Sequence, residues 1–248
     1  MKRFLTSAAA LLSAMLLLVS CGGFQTQTYE DDLVVPLADG AADSLFFSIS
    51  LEYVTGGVDE AVKEQMNYQI VSHAFDLEGQ AAPLEETAVR YRENLIDEYL
   101  TENGNPSVDG VLSWEDRVNG NFTAGYKQYL NYLLTYYSFR GGAHGIQTVT
   151  QMVLDKKTGA PLSEEDLFAP AYQAPVSALI REAIRSSLEA DDAELLPLVE
   201  MEQVVPNGNF SLSADGIQWL YQPYEVAPYA LGIVSATVSW EQLKPYLK

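Results

Sequence analysis

The chain contains a single cysteine, Cys21, so no disulfide can form within it and the fold must be held by its own packing. A metal centre offers little help. The two histidines, His73 and His144, are far apart and show neither H-E-x-x-H nor H-x-x-x-H spacing, so a zinc site lacks ligands and no metal is expected. What remains is a hydrophobic core. Residues 21–248 are enough for one large domain or two small ones, burying roughly 70% of the surface the unfolded chain exposes.

The residues around Cys21 also give an address. Lys2 and Arg3 are followed by a largely apolar run from Leu5 to Leu18 and the small residue Ser20, the layout of a secretory leader. The run is too short for a bilayer span, which needs roughly twenty apolar residues. Leu18-Val19-Ser20-Cys21 resembles a bacterial lipobox. That resemblance implies a signal peptide over 1–20, acylation of Cys21 and a lipid-anchored extracytoplasmic product, with the polar residues 21–44 as its tether.

The charge narrows the partners. With 34 acidic against 14 basic residues the net charge is −20, and losing Lys2 and Arg3 with the leader makes it more negative. Such a field repels nucleic acid and anionic headgroups and attracts cationic proteins. Membrane attachment is therefore expected through acyl chains alone.

Leu45 to Val54 is dense in apolar and aromatic residues and stops at Gly56-Gly57, which predicts a strand and a turn. Val58, Val62, Met66, Ile70 and Ala74 then recur every fourth residue, and Leu84, Ala88, Tyr91, Leu95 and Tyr99 at helical spacing. Two amphipathic helices are predicted, the second ending at Asn103-Gly104. From Val111 the texture becomes β-rich, with five tyrosines between Tyr126 and Tyr137 and a further strand over Ile146–Leu154. Ser163 and Asp166 form a capping box, and a helix spans about Ala174–Leu188. Phe210 to Tyr221 alternates around Ala214-Asp215-Gly216 as a hairpin, followed by a strand over Ile233–Val238 and a short terminal helix. Strands and helices without a β-α-β rhythm predict an α+β fold with an antiparallel or mixed sheet and several packed helices. Two subregions, 45–110 and 111–248, are expected to form one body.

Few constellations carry chemistry. There is no G-x-S-x-G elbow and no phosphate-binding glycine loop. Acid pairs such as Glu164-Glu165 and Asp191-Asp192 read as solvated helix faces, and Asn103 to Asp109 as a turn, since it lacks the glycine and glutamate of a calcium loop. Two segments stand apart. Arg140, Gly141, Gly142, His144 and Gly145 place a histidine in a tight bend between strands, and Pro223, Tyr224, Glu225 and Tyr229 lie in a rigid connection rich in proline and tyrosine. These residues either contact a ligand or shape two neighbouring turns.

The Gly-Gly-Ala-His-Gly stretch, the turn at Asp155–Gly159, Leu162 to Phe168 and the Pro-Tyr-Glu-Val-Ala-Pro-Tyr-Ala segment, taken in order, resemble an extracytoplasmic domain of bacterial envelope proteins. That domain occurs as the sensor of RsiV-type, lysozyme-responsive anti-sigma factors and beside the catalytic domain of PdaC-type peptidoglycan deacetylases. The resemblance covers about Arg140 to the end and more weakly Leu45 to Phe139. Neither a sigma-binding segment nor a deacetylase domain is present in this sequence. A stand-alone lipid-anchored binding module, without cofactor and more binder than enzyme, is thus expected to recognise a cationic protein such as lysozyme or a cell-wall glycan. The alternatives are a glycan hydrolase using Glu225 with a second acid, and a structural lipoprotein.

Overall fold

The strand over Leu45–Leu51 forms because every second residue faces inward. Leu45, Phe47, Ile49 and Leu51 are all buried, while Phe46 between two of them is exposed. This is β2, Ser44–Gly56, in a computed structural model that describes residues 23–77, 83–104, 112–191 and 193–248. The leader, Cys21, Asn105–Asp109, Val111 and Asp192 fall outside the described residues.

A strand precedes β2 where the polar composition predicts a tether. β1, Gln25–Pro36, pairs antiparallel with β2 along its length. Its three consecutive acids hide the alternation. Tyr29, Leu33 and Val35 pack inward against the first core, and Asp31 on the same face meets Arg92 at 2.6 Å. The tether reading therefore fails for residues 25–36, because that acid has a partner across the interior.

The two predicted helices follow as α1, Glu60–Ala74, and α2, Leu84–Asn103. They carry the chain to β3, Trp114–Thr123, which pairs parallel with β2, as a helical crossover allows. β4, Tyr129–Phe139, and β5, Ile146–Asp155, complete an antiparallel meander. The resulting mixed sheet has the order β1-β2-β3-β4-β5. It crosses the boundary expected at residues 110 and 111, since β3 finds its partner in β2 rather than in the strands after it.

The rest of the chain builds a second layer. The capping box starts the short α3, Glu164–Leu167, and the longer α4, Gln173–Asp191, packs on β8. The strands are β6, Phe210–Leu212, β7, Gly216–Tyr221, and β8, Val234–Ser239, in an antiparallel sheet. α5, Trp240–Leu243, closes the body behind a second capping box formed by Ser239 and Gln242. The protein is thus α+β, with a five-stranded mixed sheet and a small three-stranded one.

β5 is the wall between the two cores. Its neighbours Met152 and Val153 point to opposite faces; the first joins the core of Phe47, Ile70, Tyr99 and Trp114, the second that of Phe168, Ile180, Phe210 and Trp219. The outer edge of β5 is finished by side chains. Gln222 accepts from the Val149 amide and donates to its carbonyl, while Asn209 accepts from the Gln151 amide at 2.7 Å. Among the described residues no helix is long and apolar enough to cross a membrane.

Candidate functional site

The two segments that stand out in the sequence meet in space. The bend after β4 uses Gly141 and Gly142 at φ of 84° and 95°, a region that favours glycine, and so turns His144 back over the sheet end. Gly145 is buried against Tyr137, whose ring occupies the space a Cβ would need. Its carbonyl accepts a 2.8 Å hydrogen bond from the Tyr229 hydroxyl. The His144 and Tyr229 rings stack 4.1 Å apart, and Tyr224 lies 5.6 Å further along. The result is an aromatic ledge on the surface.

The connection that carries the ledge is braced from within. Glu225 accepts from Asn207 with one carboxylate oxygen at 2.8 Å and from the Gln222 amide with the other at 2.7 Å. Tyr224 donates its amide to the Ala227 carbonyl, closing a turn that starts at the half-buried Pro223. Tyr224 sits at φ +71° with 64% of its surface exposed, strained backbone in a side chain that no core requires. Both oxygens of Glu225 are thus engaged in shaping the turn.

Arg140 belongs elsewhere. It leaves the ledge and donates to Asp116 at 3.1 Å while its guanidinium lies over the Trp114 ring. Asp116 is fully buried and also accepts from the Tyr91 and Tyr136 hydroxyls at 2.9 and 2.8 Å. Burial pushes its pKa up, against the three donors that favour the charged form, and burial together with Asp116 raises that of Tyr91. Asp116 escaped the sequence reading. The signal was an acid at an inward position of the alternating run Trp114, Asp116, Val118.

A cleft opens next to this cluster, because α1 and α2 lie over β2, with α1 reaching β3, and leave Tyr136 of β4 and Thr148 and Thr150 of β5 only partly covered. It has a volume of about 360 Å³ between the end of α1, Tyr91 and the strands carrying Leu134, Tyr136, Thr148 and Thr150. His73, near the end of the first helix, stands exposed at its rim. The acid pair Glu164-Glu165 is likewise divided. Glu164 is buried, accepting from the Trp219 indole at 2.7 Å and the Gly208 amide at 3.2 Å, because the second core needs an acceptor for that indole. Among the described residues no three His, Cys, Asp or Glu side chains gather as a metal site would require.

No curated protein matches this chain. Among solved structures it resembles a member of the DUF3298 family from Bacteroides fragilis, with a TM-score of 0.81 and 22% identity over 92% of this chain and 94% of that one. It also resembles a DUF3298 family protein from Pseudomonas aeruginosa, with a TM-score of 0.68 and 16% identity over 91% and 94%. Residues 165–241, which hold most of the second layer and one side of the ledge, match the family model described as a protein of unknown function, DUF3298.

Proposed function

We propose that this protein is a non-enzymatic, lipid-anchored binding module of the bacterial envelope, whose ledge of Tyr224, Tyr229 and His144 engages an extracellular cationic protein such as lysozyme. The observation that carries the reading is the ledge: two segments far apart in sequence are braced by part-buried and backbone hydrogen bonds that leave Tyr224 and His144 exposed beside the half-buried Tyr229. Exposed tyrosines on a rigid support are common anchors of protein interfaces. The net charge of −20 supplies the steering, and the resemblance to the RsiV-type and PdaC-type extracytoplasmic domain supplies the ligand class. Cys21 supplies the anchor.

Calorimetry with lysozyme at low and moderate salt tests the ledge. Binding is expected to weaken with salt, and Tyr229→Ala to reduce affinity by about tenfold or more, as loss of a central aromatic anchor does. Stacked aromatic rings also suit sugar rings. Binding of soluble peptidoglycan fragments with no response to lysozyme would replace the cationic protein by a glycan, and silence toward both would defeat the proposal. Labelling with a radioactive fatty acid, lost in Cys21→Ala, tests the anchor.

A further inference from the structure

The cleft beside Asp116 is rich in acceptors and poor in donors. The His73 Nδ1 lies 2.8 Å from the Gln69 carbonyl, which can only accept, so Nδ1 carries a proton and Nε2, whenever the ring is neutral, is an acceptor. The Tyr91 and Tyr136 hydroxyls donate their protons to Asp116 and keep only lone pairs for the cleft. Asp76, also in the lining, makes no hydrogen bond or ion pair among the described residues and holds φ +50° just past Phe75, the C-cap of α1.

Two further features share this sign. The C-terminal end of the 15-residue α1 points its negative dipole at the cleft, and no lysine or arginine lines it. The nearby Arg140 is matched by the buried Asp116. A phosphate or carboxylate would find no lysine or arginine here. Phe75, Leu134 and the two tyrosine rings give apolar surface for a short stem, and aromatic rings attract an ammonium head. The volume of about 360 Å³ is at the small end of ligand sites.

We infer that this cleft binds a primary alkylammonium group, its methylenes against Phe75 and Leu134 and its charged head among Asp76, His73 and the tyrosine oxygens. Such a group reaches the cleft either as a free small amine or as a lysine side chain of the cationic protein met by the ledge. The cleft chemistry does not depend on the ledge; only the second source rests on the proposed function.

Methyl NMR of the full chain with n-butylammonium as probe tests the inference. The methyl signals of Leu134, Thr148 and Thr150 are expected to shift saturably, while n-butanol, of the same size and uncharged, leaves them in place. Asp76→Asn should weaken the response about tenfold, equivalent to about 1.4 kcal/mol. Asp76 is exposed and asparagine accepts positive φ readily, so this variant folds, which its methyl spectrum without probe verifies. Equal responses to the amine and the alcohol, no shift at these methyls, or an unchanged response in Asp76→Asn would each overturn the inference.

The same variant separates the sources. If Asp76→Asn also weakens lysozyme binding, the amine is a lysine of the protein partner; if lysozyme binding is unchanged, it is a free amine. An intact amine response in Tyr229→Ala keeps the cleft independent of the ledge.

Discussion

Tyr224 is held at φ +71° on the surface, where a left-handed backbone costs a bulky residue about 1–2 kcal/mol. Glycine bears no such penalty. Tyr224→Gly is therefore expected to leave the chain as stable or to raise its stability by up to about 1 kcal/mol in urea denaturation, while weakening ligand binding at the ledge. A clear loss of stability would mean that the ring has a structural duty. Two aspartates make a second pair of opposites. Burial raises Asp116 above the ordinary 3.8, whereas hydrogen bonds from the Ser163 side chain and backbone lower Asp166 below it. Protonated Asp116 is favoured by folding, so its contribution is complete below pH 3.8 and is lost as pH rises through its folded value; that of Asp166 is present above 3.8 and fades as pH falls through its folded value. Carboxyl carbon NMR titration should find the two midpoints on opposite sides of 3.8, and a common midpoint would contradict the burial of Asp116.

At the scale of elements, β5 is an edge strand whose outer backbone groups at Val149 and Gln151 are satisfied by amide side chains instead of a sixth strand. Truncating Asn209→Ala strands the buried Gln151 amide and is expected to destabilise the fold by about 1–3 kcal/mol, read by urea denaturation, with faster hydrogen exchange at Gln151. Nothing in the sequence announces this device. Val62, Met66 and Ile70 or Val176, Ile180 and Ile184 reveal α1 and α4 because one buried face repeats locally. The partners of Asn209 lie about sixty residues away, and a local pattern carries no record of them. β1 was hidden for a related reason: its acids look solvated until α2 brings Arg92 to Asp31. The ledge was half legible, since glycines and prolines mark His144 and Tyr229 as turn residues, yet only tertiary folding stacks them. The cleft was invisible, as it exists only where two helices stop short of β4 and β5.

At the scale of the molecule the question is whether the second layer can stand without the first. The family match covers 165–241 alone, whereas the likeness to the Bacteroides fragilis structure extends over 92% of the chain, so the larger arrangement recurs as a unit. The packing gives the reason. Val153 of β5 lies within the second core, and Asn131 of β4 both donates to the Leu212 carbonyl at 2.8 Å and accepts from its amide at 3.0 Å. Cutting the chain after Asp155 would expose the face of β6 and β7 that rests on β5 and remove the partners that β4 and β5 give Leu212, Asn209 and Gln222. Residues 156–248 expressed alone are therefore expected to show no cooperative thermal transition and little near-ultraviolet signal from Trp219, which is fully buried in the intact protein. Adding residues 23–155 should restore both, because the missing wall returns with β5. Cooperative unfolding of 156–248 near the temperature of the whole chain would instead make β5 a neighbour of the second core rather than part of it.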